Sequence, residues 1–270
     1  MDKAMNRPLL LQLLPERLRL SAWYKIYAHR VAHEPHRYEA APLAYAPQVR
    51  LKLLPSDHIS SQIAYTGFYE LPLTRRIVEL SKRGGTMIDI GANMGYFSCL
   101  WAAGRPDNHC IAFEASPIPL KYLRHNIAHN GLDKQITLFS LAAGAEAGIL
   151  NFAVGPETQT GWGGFTLADN PNSIEVEVVR VDQVLTGERS IDLLKIDIEG
   201  ADTWALLGCQ TMLGKKQIKE IFYEQNKPRM QALGIDLDQA QIFLESLGYL
   251  CTPQNDPTHK LVEWRATLPD

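Results

Sequence analysis

Four cysteines in 270 residues, Cys99, Cys110, Cys209 and Cys251, never come near C-x-x-C spacing. That scarcity excludes a zinc knuckle or a disulfide framework and fits a reducing, cytoplasmic setting. A basic excess is missing too: 27 Lys and Arg face 30 Asp and Glu, a net charge of −3, whereas a nucleic-acid partner calls for the opposite sign. Near the start, the longest apolar run, Leu9 to Leu14, is broken by Pro15, Glu16 and Arg17 and lacks a small-residue cleavage pattern, so no stable membrane insertion is expected. Repeats and low-complexity tracts are absent. What is there is 46% hydrophobic and 21% charged, enough for one large α/β domain plus an appendage.

One further absence is informative. The run from Thr86 to Ser98 joins an apolar strand to a helix through a glycine turn, yet it reads G-x-N-x-G from Gly91 to Gly95 and lacks the third glycine of G-x-G-x-x-G. Gly91 and Gly95 let the backbone bend sharply and let a ligand approach its N–H groups, while the helix presents its positive end. The acid at Asp89 suits a ligand bearing an ammonium group, such as S-adenosylmethionine, better than a pyrophosphate. Further on, His109 to Phe113 reads as a buried strand followed by Glu114-Ala115-Ser116-Pro117, where Ser116 can cap a helix that starts at Pro117. Glu114 then lies at the carboxyl end of a strand beside the first, placed to accept both hydroxyls of a ribose. Turn and acid together point to an adenosine-type cofactor.

Residues 1–50 differ from the rest. Leu9, Leu10, Leu13, Leu14, Leu18, Leu20, Trp23 and Tyr27 recur at helical spacing among Arg7, Arg17, Arg19, Lys25, Arg30 and Arg37. This N-terminal helical extension can pack on the catalytic domain or on a second subunit to give a homodimer, act as a lid, or lie on a membrane surface. Residues 51–270 form the catalytic domain. Residues 49–54 alternate like an edge strand, residues 66–70 form a turn, and a helix follows over 73–81. Strands are expected near 86–90, 109–113 and 136–141, with helices near 94–103 and 117–130. Residues 148–154 and 174–181 alternate as an antiparallel pair around the glycine-rich loop 155–172. Parallel order resumes with a strand over 191–197, a helix near 201–213, a strand over 218–223, a helix near 236–247 and strands near 249–252 and 260–264. The fold is thus a doubly wound α/β sheet.

Met87–Ser98, Phe113-Glu114 and Asp192-Leu-Leu-Lys195-Ile-Asp197-Ile-Glu199-Gly200-Ala201-Asp202 together resemble the FkbM family of class I S-adenosylmethionine-dependent methyltransferases. Tyr65–Glu70 is similar to a segment of that family as well. The resemblance covers roughly residues 50–250, with Asp202 where glutamate is commoner and residues 1–50 unmatched. It implies a Rossmann-like seven-stranded sheet whose last strand is antiparallel, bound S-adenosylmethionine, and methyl transfer to an oxygen of a sugar or small metabolite, as in natural-product biosynthesis, or to a peptide nitrogen. On it the cofactor site comprises Glu70, Asp89, Gly91, Asn93, Gly95, Tyr96, Glu114, Ala115, Ala142 and Asp197.

The donor of such a transfer is already activated, so the protein's tasks are to position, to take a proton from the acceptor and to exclude water. In an open α/β sheet they fall to residues at the carboxyl ends of strands. Asp197, Glu199 and Glu224 are the catalytic candidates. Asp197, Glu224 and Asn226 are also an alternative set of oxygen ligands for Mg2+. Trp162 and Gly163, in the glycine-rich loop, are the acceptor candidates, and small residues at Ala142-Ala143-Gly144 leave room for an adenine. His125 and His129 have ligand spacing on a polar helix face and read as solvated. A nicotinamide oxidoreductase and a non-catalytic cofactor-binding module are the readings from other classes.

Overall fold

Parallel strands covered by helices on both faces are apolar along their whole length, and that is how the central segments of this chain read. The computed structural model describes residues 11, 13–28, 38–167, 173–187 and 190–269. In chain order its elements are α1 (Glu16–Ile26), β1 (Ala40–Pro42), β2 (Arg50–Lys52), α2 (His58–Thr66), α3 (Leu71–Ser81), β3 (Thr86–Ile90), α4 (Tyr96–Ala102), β4 (His109–Phe113), α5 (Pro117–His129), β5 (Ile136–Phe139), β6 (Ala142–Ala143), β7 (Gly148–Ala153), β8 (Gly164–Phe165) and β9 (Ser173–Val179). There follow α6 (Val181–Val184), β10 (Leu193–Ile196), α7 (Asp202–Gly208), α8 (Gln210–Gly214), β11 (Glu220–Asn226), α9 (Lys227–Ala232), α10 (Gln239–Ser246), β12 (Leu250–Pro253) and β13 (Leu261–Thr267).

Seven strands form one sheet in the order β12-β13-β11-β10-β3-β4-β5. β3 pairs in parallel with β4 and with β10, β11 continues in parallel, and β13 runs antiparallel between β11 and β12. The doubly wound class I architecture is therefore present. The chain leaves β3 toward β4 and β5, then returns to β10 on the other side, so the switch point lies between the carboxyl ends of β3 and β10. One core covers the face toward α2, α3 and α4, with Ile63, Ile77 and Trp101 fully buried; a second covers the other face, with Ile88, Leu194 and Leu206. Two charges interrupt these apolar strands, Asp89 and Lys195, and they are direct register partners.

The inserted pair is antiparallel as its alternation implies, from Gly148↔Val178 to Ala153↔Ser173, within a second sheet of order β6-β9-β7-β8. Elsewhere the structure departs from the pattern. Residues 58–66, between the expected edge strand and turn, form the helix α2, and α3 begins at Leu71. The helix expected near 201–213 breaks at Cys209 into α7 and α8. Within residues 1–50, Glu16–Ile26 is helical and Ala40–Pro42 is a strand paired with β2, while Arg7, Leu9, Leu10, Arg30 and Arg37 lie outside the described residues. Trp23 of α1 is buried against α2, its Nε1 donating to Ser61 Oγ at 3.3 Å. No described helix is long and apolar enough to cross a membrane.

Candidate active site

The turn after β3 is built by two glycines that tolerate no side chain. Gly91 has φ +76°, and a Cβ there would lie 2.0 Å from the carbonyl oxygen of Asp197. Gly95 has φ +90°, and its Cβ would meet Leu123 Cδ1 at 2.5 Å. So close is the turn to its neighbours that its amides are already engaged. Gly91 N and Ala92 N both donate to Phe113 O at 3.0 Å, and Gly95 N donates to Ala92 O at 2.9 Å. Asn93 N donates to Glu114 Oε2 and Met94 N to Asn93 Oδ1, each at 2.8 Å. The expectation that a ligand approaches these N–H groups is thus corrected: residues 91–95 offer no amide to an anion. The pyrophosphate of a dinucleotide would need them.

Glu114 closes the same arrangement from β4. Its Oε1 accepts from Ser116 N at 2.7 Å, so each oxygen is anchored by one backbone amide and keeps a lone pair for a vicinal diol. It is 7% exposed, and burial raises its carboxyl to about 7 against the pull of the two amides. Ser116 does not cap α5 through its side chain. Pro119 stands at the third helical position and has no N–H to donate, which removes one of the two amides such a cap would use.

A cavity of about 250 Å³ opens at the switch point, and most of the candidate residues line it. Glu70, Gly91, Asn93, Tyr96, Glu114, Ala115, Ala142, Trp162, Gly163, Asp197, Glu199 and Glu224 are on its wall; Asp89, Gly95 and Asn226 are not. Asp89 lies beneath it, fully buried, with Oδ2 accepting from Ser98 Oγ at 2.5 Å. The Gly95 Cβ direction points to α5 rather than to the space of a methionine group. Residues that were not site candidates also line the cavity: His58, Ile59 and Thr160, the aromatic ring of Tyr69, and Lys195. Tyr69 lies in the segment Tyr65–Glu70 already noted, and Lys195 is a lone charge inside Leu193-Leu194-Lys195-Ile196.

Acids dominate one end. Burial and then the Asp197 charge raise Glu70 to about 8, Glu199 to about 7 and Glu224 to about 10. Asp202, the first residue of α7, is likewise lifted to about 7 and accepts from Glu224 N at 2.9 Å. Asn226 Nδ2 donates to Glu199 Oε2 at 2.9 Å, which orients Glu199, while Asn226 Oδ1 accepts from Arg229 N at 3.4 Å. No group of three or more His, Cys, Asp or Glu among the described residues can hold a metal ion, so the Mg2+ set of Asp197, Glu224 and Asn226 is not supported.

A loop roofs the other side. Thr160 donates to Asp57 Oδ1 through both N (3.0 Å) and Oγ1 (2.9 Å), while Asp57 Oδ2 caps α2 by accepting from Ser60 N at 2.8 Å. Arg229 Nη2 donates to Trp162 O at 2.8 Å. Trp162 is 56% exposed, leaving an aromatic face at the cavity mouth. His125 and His129 stack 5.6 Å apart on an exposed face of α5, away from the cavity.

A model of the methyltransferase FkbM domain matches residues 89–251. The 31-O-demethyl-FK506 methyltransferase FkbM of Streptomyces tacrolimicus is 28% identical over 167 residues, covering 50% of this chain and 63% of that protein. The chain therefore spans less than two thirds of that relative. Among solved structures, a methyltransferase FkbM from Methylobacillus flagellatus KT has 16% identity and a TM-score of 0.48, covering 83% of this chain and 57% of that one. The S-adenosylhomocysteine-bound Podospora anserina methyltransferase PaMTH1 has 13% identity and a TM-score of 0.49, covering 96% and 99%.

Proposed function

The chain belongs to the methyltransferase FkbM domain family, and on that premise we propose that it transfers a methyl group from S-adenosylmethionine to a hydroxyl oxygen of a sugar or other small metabolite. One observation carries the donor assignment: the glycine turn keeps no free amide for an anion, while the cavity beside it is lined by Glu70, Asp197, Glu199 and Glu224. Such a wall favours a ligand carrying a sulfonium and an ammonium group. Glu114 fits the ribose diol, and Ala115 and Ala142 leave space for the base.

When bound, the cofactor supplies an activated methyl group. The chain's own residues hold the acceptor in line, take its proton and keep water out. Glu199, raised to about 7 and oriented by Asn226, is a base matched to neutral pH; Asp197, 33% exposed at the end of β10, faces the same space. Trp162 offers a stacking face for a sugar or apolar ring. An oxygen acceptor is supported by the name of the Streptomyces relative, a 31-O-demethyl compound's methyltransferase.

Calorimetric titration with S-adenosylhomocysteine tests this reading. The wild-type chain should bind it, NADH should not compete, and Glu114→Ala should weaken binding roughly tenfold to a hundredfold, about 1.5–3 kcal/mol, because two hydroxyls lose their shared acceptor. Unchanged affinity in a folded Glu114→Ala would sink the assignment.

A further inference from the structure

Lys195 is the inward charge of β10, its side chain only 4% exposed. Its Nζ donates to the carbonyl of Gly91 at 3.1 Å and lies 3.5 Å from both Asp89 Oδ1 and Asp197 Oδ2. An ammonium has three N–H groups, and these three acceptors belong to three different parts of the site: the donor turn, the floor beneath it and the acid end. Among the described residues Asp89 Oδ1 has no hydrogen-bond partner, and it depends on this charge. The Phe97 ring, 5.5 Å from Nζ, closes the fourth side. Lys195 also lines a smaller adjoining cavity with Glu70, Phe222, Glu224, Glu263 and Trp264, so the ammonium stands in the wall between the two spaces.

A lysine that only neutralised Asp89 would need no contact with Gly91 or Asp197. We propose that Lys195 is a positioning residue that locks the donor turn to Asp197 across the switch point, and that this lock, beyond charge balance with Asp89, sets donor affinity. The inference rests on the donor reading above. Without the ammonium, the Gly91 carbonyl and the Asp197 carboxylate lose the donor they share, and the turn is held to β10 by backbone contacts alone, Asp197 N donating to Ile90 O at 3.1 Å.

The test separates locking from charge balance. Lys195→Met alone strands a buried carboxylate and is expected to lose stability. Lys195→Met/Asp89→Asn removes both charges with side chains of similar size and should recover a melting temperature near that of the wild type. S-adenosylhomocysteine, titrated calorimetrically into the wild type, Asp89→Asn and this double variant, should bind the double variant about tenfold or more weakly than either of the others, and Asp89→Asn binding as weakly as the double variant would overturn the lock. A double variant that binds within about twofold of the wild type would overturn the lock, since charge balance then accounts for Lys195. One that stays unfolded would overturn it as well, because the ammonium would then be needed by the core. A wild-type chain that does not bind S-adenosylhomocysteine would overturn the donor reading, and the inference with it.

Discussion

At the scale of single residues, the donor turn is shaped by what its neighbours forbid. Gly95 is the sharpest case, because its missing side chain makes room for Leu123 of α5 and not for a ligand. Gly95→Val combines a left-handed backbone with a steric overlap in the core, for an expected loss of about 2–5 kcal/mol. Thermal melting should therefore fall well below that of the wild type. A variant with wild-type stability that fails only to bind S-adenosylhomocysteine would show that the side chain enters the cavity instead. Glu114 is the complementary case, legible from its place after an apolar strand because a strand's carboxyl end fixes where its next side chain arrives. The use of the turn's amides was not legible: their engagement by Phe113 and Glu114 depends on how closely β3 and β4 approach, which no spacing encodes.

At the scale of elements, α2 determines whether the cavity has a roof. Its N-cap, Asp57, uses one carboxylate oxygen for Ser60 and the other for Thr160, so the helix start and the loop share one buried side chain. Asp57→Ala should cost about 1–3 kcal/mol, and Thr160→Val, which removes only the hydroxyl bond, about 1 kcal/mol. Limited proteolysis should cut near residues 158–162 faster in Asp57→Ala than in Thr160→Val, and cutting at the wild-type rate in both would show that the roof does not depend on this tether. Strands 86–90 and 109–113 were readable to the residue because both faces are buried and, Asp89 and the terminal Thr86 and His109 apart, their residues are apolar. α2 was not, since its polar Ser60, Ser61 and Gln62 are buried by α1 and by the roof rather than by their own pattern. His58 escaped notice for the same reason, being tied to the roof by its N–H to Thr158 O at 3.2 Å.

At the scale of the whole molecule, the cavity is a reservoir of protonated acid. Glu70, Glu199 and Glu224 stand at about 8, 7 and 10, raised by burial and by Asp197, while in the unfolded chain they ionise near about 4.5. Between these limits the folded chain holds protons that the unfolded chain has released. The contribution of these three groups to the stability of the ligand-free fold is therefore fully present below about pH 4.5 and falls as pH rises through this window. His58, lowered by burial, acts in the opposite sense only below about pH 6.5. The melting temperature of the ligand-free chain should decline from about pH 6.5 to pH 9, and Glu224→Gln should flatten that decline. A pH-independent melting temperature would contradict the account. A cationic ligand, by favouring the ionised acids, should release protons on binding and bind more tightly as pH rises.

The central claim is that one cavity at the switch point takes an adenosyl cofactor, its ribose on Glu114 and its amino-acid end toward Asp197 and Lys195. A crystal structure of the chain grown with S-adenosylhomocysteine tests it most directly. The account expects both ribose hydroxyls within hydrogen-bond distance of the two Glu114 oxygens and the base beside Ala115 and Ala142. A ligand bound elsewhere, or bound there with its ribose away from Glu114, would contradict it.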